Sequence, residues 1–316
     1  MERTQIDALL ARIQATQNEN DGSPRMKAIV NRLLRDLFYA IEDLDIQAEE
    51  VWKAADWFTK AGKTNEYGLI IAGLGLEHFL DLRMDEAEAK AGITGGTPRT
   101  IEGPLYVAGA PESKSYAELE TEPELGAERL YMQGRVLDEQ GNPVEGALVE
   151  VWHCNLKGLY SYFDSSQPPF NLRRGIRTAS DGSYKFKSFI PVGYSVPPEG
   201  ATDLLLKQVG RHGSRPAHIH FFVTAPGYRK LTTQINIEGD PLIWDDFAFA
   251  TREELVPPIE RIGIDEAQEK YRREEPFALI NFDFILHAEN KTVFDTDIER
   301  TRAIAVAPEP VKEPMN

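Results

Sequence analysis

The first 90 residues carry apolar side chains at helical spacing. Ser23–Pro24 is a typical helix start, with serine as the N-cap and proline at the first helical position. A second helix is predicted from a cap at Asp45 to about Gly62, and a third over residues 69–82. The apolar stripe after Pro24 consists of Met26, Val30, Leu33, Leu34, Leu37, Ile41 and Leu44. We interpret it as packing between helices, with a dimer interface as the alternative.

From Thr97 onward, apolar and polar residues alternate, and glycine and proline become frequent. Alternation with period two is typical of strands, and Asp181-Gly182 and Pro226-Gly227 each predict a hairpin. The predicted strand segments are residues 129–137, 147–152, 178–189, 217–224, 230–237 and 277–286. Several short strands separated by turns predict a β-sandwich, and the whole chain is therefore assigned to the α+β class.

The change of pattern predicts three regions. Residues 1–100 form an N-terminal helical domain, and residues 101–304 form the β-sandwich domain. Residues 305–316 contain three prolines among glutamates, which indicates a loose C-terminal tail.

Charge and cysteine content exclude several classes of protein. The chain has 35 Lys and Arg against 51 Asp and Glu, a net charge of −16. This balance argues against a nucleic-acid binder and against attraction to anionic membranes. The single cysteine, Cys154, excludes an internal disulfide or a cysteine-rich metal site and fits a reducing compartment. The longest run of apolar residues and glycine, residues 68–76, is too short to cross a bilayer, so we expect a soluble protein. With the cysteine content, we expect a cytoplasmic location.

Two histidines indicate a metal site. His218 and His220 stand two apart on a predicted strand, so their side chains project from the same face and can share a metal ion. The pattern is only moderately specific, because cupins and ordinary polar strand faces also carry it. A cupin normally has a glutamate shortly afterwards, and residues 221–224 contain none.

Tyrosines are the other candidate ligands. Tyr160, Tyr162 and Tyr194 lie in glycine-containing loops. A phenolate is a hard anionic ligand that suits ferric iron, and a bound cation lowers the pKa of a tyrosine. Half-buried packing is the alternative explanation for each of them. Spacing does not distinguish Tyr160 from Tyr162.

Six longer segments match a known family. They are GLGLEHFLD (73–81), TPRTIEGPLYVAGAPES (97–113), VEVWHCNLKGLYSYFD (149–164), FNLRRGIRTASDGSY (170–184), GRHGSRPAHIHFFVTAPGYRKLTTQIN (210–236) and WDDFAFATRE (244–253). With them the chain resembles the intradiol ring-cleavage dioxygenases, closest to the catechol 1,2-dioxygenase branch. The resemblance implies cleavage of catechol by O2 to cis,cis-muconate, in aromatic catabolism through the β-ketoadipate pathway.

The resemblance also implies a site. It implies one non-haem Fe(III) per subunit, with a bound hydroxide. The implied ligands are Tyr160, Tyr194, His218 and His220. Tyr194 and the hydroxide are then the bases toward catechol, Arg215 stabilises charge that develops on the ring, and Gln234 is a nearby polar partner.

The substrate wall is implied with less detail. It consists of Leu69, Ala72, Ile101, Gly103, Pro104, Leu105, Phe247 and Ala248. Small and apolar side chains suit a planar aromatic ring. Ala72 stands where some catechol enzymes have the bulkier proline, so we expect tolerance for methyl- or chlorocatechols.

The family further implies a homodimer joined through the N-terminal helices, with an apolar tunnel that can hold lipid tails. Two other function classes stay open. One is a different β-sandwich metal enzyme, cupin-like or extradiol, with ferrous iron and a carboxylate ligand. The other is a non-catalytic binding module that binds no metal.

Overall fold

The structure is a computed structural model that describes residues 1–18 and 20–290 and the backbone of residues 303–304. Its packing divides the chain into two compact units, Met1–Thr64 and Asn65–Asn316. The domain limits given above, 1–100 and 101–304, stay a prediction. The predicted tail, residues 305–316, lies outside the described residues.

Three helices form the first unit, and they are α1 (Arg3–Gln14), α2 (Pro24–Asp43) and α3 (Ala48–Lys63). The predicted start of α2 is confirmed, because the Ser23 hydroxyl accepts a hydrogen bond from the Met26 amide at 3.3 Å. The predicted cap at Asp45 is wrong. Asp45 has a φ of 50°, whereas an N-cap needs extended backbone, and Gln47 caps α3 in a capping box with Glu50.

The apolar stripe of α2 is largely exposed. Along α2, which is described in full, no residue is buried, and Leu33 and Leu37 are 62% and 52% exposed. Leu44, the residue after α2, is 73% exposed. Trp52 on α3 is 72% exposed. The prediction of packing between helices is therefore wrong for most of this stripe, because so few helices provide little surface to cover it.

The helices of the second unit are α4 (Tyr67–Gly73), α5 (Leu76–Lys90), α6 (Ala201–Gln208) and α7 (Ile264–Glu269), with a 3₁₀ turn at Glu253–Leu255. The single helix predicted over residues 69–82 is divided, because Gly75 has a φ of 73° and ends the run between α4 and α5. Glu66, just before α4, caps α6: its carboxylate accepts hydrogen bonds from the Ala201 and Thr202 amides, both at 2.9 Å. Over the part of the chain that is described, no helix is long and apolar enough to cross a membrane.

The strands are β1 (Val107–Ala108), β2 (Glu112–Lys114), β3 (Tyr116–Glu118), β4 (Arg129–Asp138), β5 (Leu148–Trp152), β6 (Arg173–Arg177), β7 (Ser183–Phe189), β8 (Tyr194–Ser195), β9 (Ser214–Arg215), β10 (His218–Thr224), β11 (Leu231–Asn236), β12 (Glu260–Ile262), β13 (Phe277–Asn281), β14 (Phe284–Leu286) and β15 (Ala303–Ile304). One sheet has the order β11-β10-β5-β6-β2 and the other β12-β13-β4-β7-β3, with β14 also paired to β4. Both sheets contribute to one apolar core, for example through Val151 and Phe221 from the first and Met132 and Phe186 from the second. The α+β prediction is confirmed.

The two predicted hairpins differ in outcome. The pair around Pro226-Gly227 is confirmed as antiparallel β10 and β11. Asp181-Gly182 makes the expected tight turn, in which the Gly182 amide donates to the Ala179 carbonyl at 2.9 Å. The flanking strands, however, do not pair: β6 joins β5 and β7 joins β4. The hairpin prediction is wrong there, because a turn sequence fixes local backbone geometry and not the partner strand.

The last predicted strand, 277–286, is divided into β13 and β14, both parallel to β4. The interruption lies at Phe282, whose amide donates to the Gln133 carbonyl at 2.9 Å. Here the chain passes over Gly134 so closely that a Cβ at position 134 would collide with the Phe282 carbonyl. Glycine is therefore required at this crossing.

Candidate active site

The two histidines of β10 face each other. Both are buried, and their Nε2 atoms are 3.0 Å apart. His218 Nδ1 lies 2.7 Å from the Pro216 carbonyl oxygen, which can only accept, so Nδ1 carries the proton and Nε2 keeps its lone pair. Two nitrogens bound at right angles to one metal at about 2.1 Å would be about 3.0 Å apart. The spacing therefore suits a shared cation.

Both imidazoles are neutral at physiological pH. Burial, and then the Arg215 charge, lowers the pKa of His218 to about 3. Burial and the neighbouring His218 lower the pKa of His220 well below its ordinary value. Neutral imidazole is the form that binds metals.

Two tyrosines complete the cluster. Tyr160, which follows β5, and Tyr194, in β8, have ring centroids 5.5 Å apart, and the Tyr194 ring lies 5.4 Å from that of His218. Tyr162 is 37% exposed and packs against Phe170 instead. The structure thus brings Tyr160, and not Tyr162, to the histidines.

Glycine makes this approach possible. Gly158 has a φ of 74°, and a Cβ at this position would lie 2.7 Å from the Tyr194 Cβ. No other residue would let the loop that carries Tyr160 lie this close to β8 without strain.

The phenols are protonated in the absence of a cation. Burial, and then Tyr194, raises the pKa of Tyr160 well above its ordinary value, and burial likewise raises the pKa of Tyr194. Among the described residues, the Tyr160 hydroxyl has no hydrogen-bond partner. A metal cation would favour the phenolate and occupy this unpaired oxygen.

Arg215 lies beside the histidines because β8 and β9 pair Tyr194 with Arg215. Its Nη1 donates to His218 Nε2 at 2.9 Å, and its Nη2 donates to Gln234 Oε1 at 2.8 Å. Burial is the largest influence and disfavours the Arg215 charge, but Asp246, Tyr194 and Tyr160 together raise the pKa of Arg215 above its ordinary value. The site therefore contains a permanent buried cation.

Asp246 was missed by the sequence analysis. Its carboxylate accepts hydrogen bonds from Arg215 Nε at 3.1 Å and from Nη2 at 3.0 Å. The residue lies within the motif WDDFAFATRE, from which only Phe247 and Ala248 had been selected. An acidic residue beside a pocket-wall motif was the available signal.

The donor set supports iron. Within residues 1–18 and 20–290, no group of three or more His, Cys, Asp and Glu side chains could hold a metal ion, so a metal at the two histidines would need tyrosine oxygens. Two imidazoles with two phenolates form a hard set that fits a ferric ion. The thiol of Cys154 donates to the Val192 carbonyl at 3.3 Å and packs against Tyr160, as expected for a buried structural cysteine.

The implied substrate wall is mostly brought together. Ala72, Ile101, Phe247 and Ala248 form one buried cluster with Val196, Leu206 and Ala250, and Leu69 packs against it. Gly103 lies beside the metal site, since a Cβ at this position would be 3.8 Å from His220 Cε1. Leu105 instead packs in the cluster around Tyr160, and Pro104 is exposed and lies against Gly68. Val196 and Leu206 were not predicted.

Two further side chains pack on the candidate ligands. The Trp152 ring stacks on His220 with centroids 4.9 Å apart, and the Arg173 guanidinium lies 5.7 Å from the Tyr160 ring centroid. Both contacts depend on long-range packing, such as the pairing of Trp152 with His220 between β5 and β10. Spacing along the chain does not reveal them.

Comparison with known proteins shows the family to which the chain belongs. The family model described as "Dioxygenase" matches residues 101–288, and "Catechol dioxygenase N terminus" matches residues 23–92. Catechol 1,2-dioxygenase 2 of Acinetobacter lwoffii is 63% identical over 84% of this chain and 96% of that protein. Catechol 1,2-dioxygenase of Acinetobacter guillouiae is 52% identical over 90% and 94%. The crystal structure of wild-type Acinetobacter radioresistens catechol 1,2 dioxygenase superposes with a TM-score of 0.92 at 53% identity, covering 96% of this chain and 99% of that one.

Proposed function

Because this chain belongs to the intradiol dioxygenase family, close to catechol 1,2-dioxygenase, we propose that it cleaves catechol between its two hydroxyl-bearing carbons. Both atoms of dioxygen enter the product, which is cis,cis-muconate. The observation that carries the proposal is a cluster of two buried histidines, the buried Tyr160 and the partly buried Tyr194 beside a buried arginine.

The cofactor in this proposal is one ferric ion per chain, held by Tyr160, Tyr194, His218 and His220. The facing nitrogens of the histidines and the unpaired Tyr160 oxygen support this assignment. When bound, ferric iron acts as a Lewis acid that withdraws electron density from a catecholate.

The side chains of the protein supply a proton acceptor, a fixed positive charge and an apolar wall for the ring. Tyr194 oxygen accepts a proton from a catechol hydroxyl. Binding of a metal at His218 Nε2 would occupy the lone pair to which Arg215 Nη1 now donates, and this donor then faces the substrate. In a dry pocket its fixed positive charge stabilises negative charge on the ring strongly. The apolar wall around Ile101 and Phe247 orients the ring and excludes water.

An absorption spectrum of the purified protein tests this proposal. We expect a visible tyrosinate-to-iron(III) band that shifts when catechol is added without oxygen, followed by oxygen uptake and formation of muconate once oxygen is admitted. Tyr160→Phe should lose most of the band. Tyr162→Phe, a change of the same kind two residues away at an exposed ring, should keep it.

Each contrary result identifies an alternative. A colourless protein that contains iron would support the ferrous enzyme with a carboxylate ligand. A colourless protein that binds no iron would support the binding module. Equal loss of the band in both tyrosine variants would contradict the assignment of Tyr160.

The exposed apolar face of α2 supports the proposal of a homodimer through the N-terminal helices. Leu33 and Leu37, both more than half exposed, are side chains that water-soluble monomers normally cover. Light scattering coupled to size exclusion should give twice the chain mass of 35.5 kDa. A monomer mass would contradict it, and mass spectrometry of an organic extract tests for bound lipid. We also propose a cytoplasmic location, which the single cysteine supports.

A further inference from the structure

Asp246 has no role in the chemistry described so far, yet it is among the most completely enclosed charged groups of the site. The side chains of Arg215 and Asp246 are only 4% and 1% exposed. We propose that Asp246 is a positioning residue for ring cleavage, which aims the Arg215 guanidinium at the substrate and links it to the substrate wall. This inference rests on the proposed function.

The first argument concerns the donors of the guanidinium. Asp246 occupies one edge of Arg215, because Nε and Nη2 both donate to it, at 3.1 and 3.0 Å. The second Nη2 hydrogen is directed to Gln234 Oε1 at 2.8 Å. Nη1 alone remains, and it faces His218 Nε2 at 2.9 Å. A planar guanidinium held along one edge cannot rotate, so the carboxylate decides which nitrogen reaches the metal site.

The second argument concerns the wall. The Asp246 carboxylate also accepts hydrogen bonds from the Ala248 amide at 3.0 Å and the Ala250 amide at 3.4 Å. Phe247 and Ala248 belong to the cluster that also contains Ile101 and Ala72. The same carboxylate therefore sets the position of the cation and the position of the surface against which the ring would lie.

The third argument concerns acceptor chemistry. Burial by itself would raise the pKa of Asp246, but Arg215 and the Ala248 amide hold this pKa below its ordinary value. The carboxyl group is therefore ionised, and both of its oxygens accept hydrogen bonds. Oδ1 accepts from Arg215 Nε and the Ala248 amide, and Oδ2 accepts from Arg215 Nη2 and the Ala250 amide, with Nε also 3.4 Å from Oδ2. In an asparagine of the same shape, whichever way the amide is oriented, its NH2 group would face two donors. Asp246→Asn thus removes the orientation while it conserves volume.

The experiment compares Asp246→Asn with Asp245→Asn in the iron-loaded full chain. Asp245 is the adjacent residue, its side chain is 75% exposed and its partner is His212, so it is a matched control. We expect Asp246→Asn to keep the iron content and the visible band, to change the KM for catechol less than about threefold, and to lower kcat about 100-fold. Asp245→Asn should match the parent protein in all four.

A double-variant series separates positioning from a general structural role. In an Arg215→Met background, Asp246→Asn should lower kcat by no more than about threefold, because the group that it orients is gone. Asp246→Glu, which keeps the charge, should recover part of the kcat that Asp246→Asn loses. A full 100-fold loss in the Arg215→Met background, or a kcat for Asp246→Asn within threefold of the parent, would overturn the inference.

Two further outcomes are informative. If Asp246→Asn does not fold, Asp246→Glu replaces it, alone and combined with Arg215→Met. A loss of kcat in the double variant equal to the product of the two single losses would overturn the inference. A smaller loss of kcat would support it. If the parent protein itself lacks the visible band and catechol-dependent oxygen uptake, the proposed function fails, and it does so before any variant is compared.

Discussion

Ala72 is the side chain at which the proposed substrate range can be tested. It is buried in the cluster with Ile101 and Phe247. We expect Ala72→Val to lower kcat/KM for 4-chlorocatechol about tenfold more than for catechol, because two added methyl groups take the space that a ring substituent needs. The ratio of the two kcat/KM values measures this. Ala89→Val, at an exposed site on α5, is the control, and a ratio unchanged by Ala72→Val would contradict the pocket assignment.

His153 makes stability depend on pH. Its Nδ1 donates to the Cys154 carbonyl and its Nε2 accepts from the Ser188 hydroxyl, both at 2.7 Å. Burial lowers its pKa from 6.5 to about 4. Between these values the unfolded chain binds more protons than the folded protein, so the contribution of His153 to the free energy of unfolding falls as the pH drops from 6.5 to 4.

The test is urea unfolding between pH 4.5 and pH 7. We expect His153→Gln to show a weaker loss of stability on acidification than the parent protein. Asp81 acts in the opposite sense, since burial raises its pKa to about 7, but it contributes equally to both proteins. The same pH slope in His153→Gln would show that this imidazole is not the group responsible.

At the residue scale, sequence predicts what depends on local geometry. The period of a strand placed His218 and His220 on one face. The choice of Tyr160 over Tyr162 came from the family resemblance, because it depends on a loop folding past β8. Asp246 escaped notice because its partner Arg215 is 31 positions away in the chain.

Among the elements, the crossing of Phe282 over Gly134 is the most sensitive contact. We expect Gly134→Ala to lower the free energy of unfolding by about 3 kcal/mol or more, because a Cβ there collides with backbone, which cannot move aside as a side chain can. Urea or thermal unfolding measures it. Gly263→Ala, where a Cβ has open space, should cost less than about 1 kcal/mol. A similarly small decrease in the free energy of unfolding for Gly134→Ala would contradict the close approach of Phe282 to Gly134.

Elements were predicted better than their pairing. The strand at residues 129–137 and the start of α2 follow from alternation and from a capping serine, which are local properties. The strands on either side of the turn at Asp181-Gly182, β6 and β7, lie in different sheets because each buries apolar side chains in the core between the sheets, which no turn sequence encodes. The break at Gly75 follows from its positive φ, and the break at Phe282 lies where the chain crosses closely over Gly134.

For the whole molecule, the exposed stripe of α2 leads to a prediction about assembly. We expect Leu33→Glu combined with Leu37→Glu to yield a monomer in light scattering, because two buried carboxylates would cost more than the apolar contacts contribute. Catechol cleavage should persist, since neither residue belongs to the candidate site. Leu125→Glu, at a leucine that is 93% exposed, is the control and should leave the mass unchanged. A dimer in the double variant would place the interface elsewhere.

The pairing of Tyr194 with Arg215 across β8 and β9 has a consequence for how such a protein can diversify. The chain between these strands contains α6 and contributes Val196 and Leu206 to the substrate wall, but none of the candidate metal ligands. Because the short ladder fixes both of its ends, this segment can accumulate insertions and replacements while the tyrosine and the arginine keep their places. Substitutions in this segment can therefore change which substituted rings bind without moving the residues that the proposed reaction needs.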